Sequence, residues 1–198
     1  RAAWVQKDIP AAGYETVKFQ KAENVEVPYI SDSLSQTWVE NDFYRIEVDP
    51  DRGGGIVSLY DKENEREFIQ TGHAQPANDI MALAEKMDDF PQGHLLTSKD
   101  KLYAHSYRAD VKYMEGPITN RLLIRGKGPG PCTRIQEIRL YHDVPYIDCT
   151  TILEDYQGYS RKHTQKETDS VRDLYVLAFP LDLPGALPVL EDKFYAKT

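Results

Sequence analysis

Hydrophobic and polar residues alternate along most of this chain with a period of two, the pattern of strands that bury one face. It is clearest at residues 43–49, where Tyr44, Ile46 and Val48 alternate with Phe43, Arg45, Glu47 and Asp49. Pro50-Asp51 begins a reversal, and Gly53, Gly54 and Gly55 supply the positive φ angles that side chains resist. Residues 56–60 then return as a second strand, rich in β-branched and aromatic side chains. Further strands are predicted at residues 15–19, 65–69, 102–113 and 118–126, separated by turns of Gly, Pro, Asn and Asp. Ile80, Leu83, Ala84 and Met87 have helical spacing, but the run is short and lies among strands. We therefore assign residues 80–85, IMALAE, to a buried strand. Residues 20–37, 72–78, 85–101 and 156–173 read as polar connections, the first of them a domain boundary. Residues 174–181, LYVLAFPL, are the longest apolar run and predict a central strand buried on both faces.

The most specific expectation concerns residues 134–153. If Tyr141 faces Tyr146 across a hairpin turn, Leu140 pairs with Ile147 and Ile138 with Cys149 on one apolar face. Arg139 then meets Asp148 on the other face, and Glu137 meets Thr150. A slip of one residue destroys both agreements. In that register Cys132 lies opposite Asp155, on the order of 20 Å along the hairpin from Cys149, which excludes a disulfide between them. Cys149 reads as a buried core thiol.

Taken together these elements predict an all-β, antiparallel fold. With 198 residues the chain has room for one substantial core, and 40% hydrophobic and 28% charged residues are ordinary for a globular protein. The net charge of −8 argues against nucleic acid or an anionic membrane as partner, since both call for a basic surface. No apolar run approaches the roughly 20 residues of a membrane-spanning helix. The chain has no Asn-x-Ser/Thr sequon, which tilts the open question of compartment toward the cytoplasm.

Candidate chemistry is sparse. His73, His94, His105, His142 and His163 are scattered, with no HxH or HxxxH pair to begin a zinc site, and each reads as a surface or loop residue. No nucleophile elbow is present, and the glycine run joins strands with no helix N-terminus behind it to hold a phosphate. Neighbouring carboxylates such as Asp88-Asp89 and Glu154-Asp155 point to opposite faces of a strand. Asp79, Asp88 and Asp89 are candidates to line a sugar site, with a solvated loop as the plainer explanation. Trp38, and Tyr103 with Tyr107 on one face of a strand, are candidate stacking platforms for a pyranose, with ordinary packing as the alternative. No catalytic residue, metal ligand or cofactor is assigned.

Residues 43–62, ending Ser58-Leu59-Tyr60-Asp61-Lys62, resemble the opening of the large C-terminal β-sandwich of family 38 glycoside hydrolases, the zinc-dependent α-mannosidases. Other segments resemble that family in the same order. Ile9-Pro10-Ala11-Ala12-Gly13-Tyr14 is similar to the segment that ends its preceding small domain, and Asn78-Asp79 to its Asn-acidic-apolar stretch. Glu115-Gly116-Pro117-Ile118 is similar to a strand opener, and residues 134–141 and Ala178-Phe179-Pro180-Leu181 to later strands. The resemblance implies that residues 1–22 end a linker domain and that residues 38–198 are most of a β-supersandwich like the galactose-mutarotase fold. Phe194-Tyr195, which the family follows with further strands, implies that the sandwich stops short. Family members carry zinc and an aspartate nucleophile on an earlier α/β barrel, and no residue here matches that motif. The implied role is therefore non-catalytic: supporting the barrel of the same polypeptide and walling its oligosaccharide cleft. The loop at 156–173 and the Gly-Pro insertion at 126–131 depart from the family and leave sugar specificity open. Two alternatives stand beside this: a mutarotase-like epimerase and a stand-alone carbohydrate-binding sandwich.

Overall fold

Alternation becomes antiparallel strand pairing in the computed structural model of this chain, which describes residues 14, 16, 18, 32–33, 35–70, 72–85, 101–156, 172–186, 190–191 and 196–197. In chain order the strands are β1 (Asp32–Ser33), β2 (Trp38–Glu40), β3 (Tyr44–Asp49), β4 (Gly55–Asp61), β5 (Arg66–Glu67), β6 (Asp79–Glu85) and β7 (Lys101–Tyr103). They continue as β8 (Ala109–Met114), β9 (Thr119–Lys127), β10 (Thr133–Tyr141), β11 (Ile147–Glu154), β12 (Arg172–Ala178), β13 (Leu190–Glu191) and β14 (Ala196–Lys197). Single 3₁₀ turns occupy Pro50–Arg52 and Ala104–Ser106.

Three sheets carry the structure. One has the order β1-β8-β9-β10-β11, the second β2-β3-β4-β5 and the third β12-β6-β7; β13 and β14 pair with each other. Bridges from Ile56 to Ala77 and from Ile69 to Leu181 tie the second sheet to the third. The first sheet packs its inner face on the second. Val39, Ile46, Val48 and Ile56 meet Val111, Leu122, Ile124, Ile138 and Leu140 in one buried cluster, giving the molecule its sandwich-like layering. Each such side chain contributes about 1.5–3 kcal/mol on burial, so this contact is the main cohesion between the layers.

The 134–153 hairpin has the register its sequence predicts. Ile138 lies opposite Cys149, Leu140 opposite Ile147, Glu137 opposite Thr150, and Arg139 opposite Asp148 with a side-chain contact of 3.3 Å. Both cysteines are free thiols. Residues 80–85 are strand, within β6.

Other segments depart from their pattern. Residues 102–113 are not one strand: the chain leaves the third sheet after β7, makes the 3₁₀ turn at Ala104–Ser106, and enters the first sheet as β8. Tyr103 and Tyr107 therefore lie on either side of a turn and share no strand face. Residues 174–181 are not a doubly buried central strand either. Among the described residues β12 pairs with β6 alone, and Leu177, Phe179 and Leu181 are exposed. The apolar run ends where Pro180 lacks a backbone donor and Leu181 turns back on the Phe179 carbonyl. Of the three glycines in the first turn, Gly53 and Gly54 have positive φ, whereas Gly55 is extended and opens β4. Of the predicted strand at 15–19 the described residues are Thr16 and Lys18, both exposed and in no strand. The rest of that segment, most of the proposed linker end at 1–22, the connection holding Asp88 and Asp89, most of the 156–173 loop and Phe194-Tyr195 lie outside the described residues.

Candidate functional site

The inner face of β10 changes character along its length. Ile138 and Leu140 face the apolar core, but the next two residues in the same phase are Gln136 and Arg134, both fully buried. Polar side chains at core positions carry a large desolvation cost unless they are paired, so their partners define a polar end to the sandwich. Arg134 Nη1 donates to Gln136 Oε1 at 2.8 Å, and Nη2 donates to the Gly53 carbonyl. Gln136 Nε2 donates to the Asn78 carbonyl at 2.7 Å and to Thr151 Oγ1 at 3.1 Å. Burial pushes the Arg134 pKa down, and the charge of Asp79 pushes it back up.

Asp79 is the acidic member of this layer. It opens β6 directly after Asn78, whose φ of 57° is left-handed, a conformation Asn tolerates better than most residues. The Asp79 side chain is 1% exposed and takes three hydrogen bonds. Gln75 Nε2 donates at 3.0 Å, the His105 backbone N–H at 3.0 Å, and His105 Nδ1 lies 2.7 Å away. A carboxylate in this position selects the imidazole tautomer with hydrogen on Nδ1. Nε2 is then the acceptor, and among the described residues it makes no hydrogen bond. The imidazole is 23% exposed and its ring lies 4.8 Å from that of Tyr103, tilted by 42°. The Asn78 carboxamide is buried, and among the described residues neither Oδ1 nor Nδ2 has a hydrogen-bond partner.

What assembles these residues is the glycine turn of the opening hairpin. A Cβ on Gly53 would stand 2.7 Å from the Ala104 carbonyl oxygen and 2.9 Å from His105 Cα, so only a glycine lets the 3₁₀ turn carrying His105 approach. A Cβ on Gly55 would meet Pro76 Cγ at 2.4 Å, in the loop that leads to Asp79. Arg52 holds the same loop by donating to the carbonyls of His73 and Ala74 at 2.8 and 2.7 Å. Within that loop His73 Nδ1 donates to the Gln75 carbonyl at 2.8 Å, which fixes the backbone of the residue reaching Asp79.

Of the sequence candidates, the structure brings Asp79 and Tyr103 together through His105. Tyr107 stands beyond the turn with Lys127 Nζ 4.3 Å from its ring centre, and Trp38 lies on β2 with the Arg45 guanidinium 4.7 Å over its ring. The Trp38 face so covered is not open for stacking. Asp88 and Asp89 lie outside the described residues. His105, read from the sequence as a surface or loop residue, is the member that sequence reasoning missed. It lies 26 positions from Asp79, and nothing local advertises the contact. Arg134 and Gln136 did leave a signal, being polar residues in the apolar phase of β10. Among the described residues no three His, Cys, Asp or Glu side chains converge as a metal site. The arrangement can hold an imidazole rigidly, one nitrogen outward, beside an aromatic ring. No protein-family model and no curated protein matches the chain.

Proposed function

We propose that this chain is the non-catalytic sandwich portion of an α-mannosidase-like glycoside hydrolase, with the galactose-mutarotase-like architecture that its motifs imply. It supports a catalytic barrel of the same polypeptide and forms one wall of its sugar cleft. The observation carrying this reading is that the segment most like the family, residues 43–62, is also the one on which the polar site is built. Its turn supplies Arg52, Gly53 and Gly55 to the elements bearing Asp79 and His105. Glycoside hydrolysis requires two carboxyl groups set across a bond, roughly 5–9.5 Å apart. Among the described residues the site holds one carboxylate, Asp79, buried and engaged by three donors, which suits a wall more than a reaction centre.

The test compares the 198-residue chain with the natural polypeptide that contains it, on an aryl α-mannoside. The expected result is turnover by the polypeptide, lost to a chelator and restored by zinc, and none by the isolated chain. Chelator-sensitive turnover by the chain alone, or an inactive polypeptide, overturns the reading. The Asp79–His105 pair lends some support to a second reading, a mutarotase-like sandwich acting alone, since anomer interconversion needs an acid and a base. Among the described residues Asp79 is taken up by three donors and His105 alone is left to act, which ranks this reading second. Polarimetry on a freshly dissolved anomer, with and without the chain, decides it.

A further inference from the structure

We propose that His105 and Tyr103 form a pyranose contact: Nε2 of His105 accepts a hydrogen bond from a sugar hydroxyl, and the Tyr103 ring meets the adjoining C–H face. This rests on the reading of the sandwich as a sugar-cleft wall and names the residues through which the wall acts. The imidazole is clamped twice by one carboxylate, through its own Nδ1 and through its backbone N–H. Joining the 3₁₀ turn to β6 needs only the backbone bond. The second bond fixes the ring and its tautomer, and leaves a preorganised acceptor at the surface.

The surroundings narrow the ligand. Arg134 is fully buried and committed to Gly53 and Gln136, the exposed Arg108 is paired with Asp51, and Nε2 as an acceptor offers no proton to a phosphate or carboxylate. A lone acceptor beside an aromatic ring suits a neutral ligand with hydroxyl donors and an apolar C–H face, which describes a pyranose. Asp79 touches no ligand in this scheme; it is a positioning residue.

The experiment has two arms. In the first, ¹⁵N imidazole and aromatic ¹H–¹³C resonances of the 198-residue chain are followed as methyl α-mannopyranoside is added. The expected result is saturable movement of the His105 Nε2 and Tyr103 ring signals, with affinity reduced roughly threefold to tenfold by His105→Gln or Tyr103→Leu. Asp79→Asn should shift the tautomer toward Nε2–H and weaken binding, a signature that a purely structural tie would not produce. In the second arm, the natural polypeptide carrying His105→Gln is assayed on an aryl α-mannoside, with KM expected to rise by a similar factor and kcat to hold. Normal hydrolysis with unchanged KM, and no His105 shift in the chain, overturns the contact and leaves the wall reading standing. Shifts at His105 in a polypeptide without mannosidase activity do the reverse. Silence in both arms removes both proposals.

Discussion

Asp61 closes β4 and organises the turn after it. Its Oδ1 accepts the N–H groups of Glu63 and Asn64, both at 3.0 Å, and its Oδ2 accepts Asn64 Nδ2 at 2.8 Å. These bonds, the Asn64 side chain first, hold the carboxyl below the usual aspartate range. Because the folded-state pKa is depressed, the stabilisation is present above the unfolded value of about 3.9 and is lost as pH falls through the folded value. Asp61→Asn should therefore lower stability at pH 7 and flatten the loss of stability below about pH 4. Urea unfolding at the two pH values checks this, and parallel acid profiles for both proteins would refute it. Cys149, read from the sequence as a buried core thiol, is only partly buried and packs against the core from its edge, whereas Cys132 is the buried thiol. Desolvation and then the charge of Asp148 push the Cys149 pKa up to about 11, and burial raises that of Cys132, so both are poor nucleophiles at neutral pH.

At the scale of elements, the hairpin β10–β11 was legible because two independent constraints agree on one register. Apolar pairs occupy one face, and Arg139 with Asp148 the other. Depth follows from the same phase. Ile138 is fully buried and Ile152 half exposed, so Ile138→Ala should cost about 2–5 kcal/mol and Ile152→Ala no more than about 0.5 kcal/mol. Equal shifts of the two denaturation midpoints would contradict the observed layering. The strand β12 was misread for the opposite reason. A run of apolar residues reports membership of a sheet, but whether a strand lies centrally or at an edge depends on which segments flank it. The break at Ala104–Ser106 was equally silent, because Ala-His-Ser contains no Gly or Pro and the change of direction is set by the two sheets it connects.

For the whole molecule, the glycine turn joins parts far apart in sequence. Gly53 has a φ of 69°, accepts from Arg134 of β10 and packs against Ala104 and His105. Gly53→Ala should destabilise the protein by roughly 2–4 kcal/mol, through left-handed strain and the clash with the 3₁₀ turn together. It should also move the His105 resonances, whereas an equally destabilising Ile138→Ala should leave them in place. Calorimetry and imidazole NMR on both variants separate the two effects.

By itself the sequence determined the all-β class, the first hairpin and the register of the second. These rest on contacts between near neighbours, where side-chain period, turn residues and cross-strand pairing act over a few positions. Only the tertiary structure decided that β10 ends in a buried Arg134–Gln136 pair facing Gly53 and Asn78, that Asp79 reaches His105, and that β12 borders exposed apolar surface. Those facts depend on which face of one sheet meets which turn of another. The chain's local pattern does not encode that choice, because it follows from packing between segments tens of residues apart.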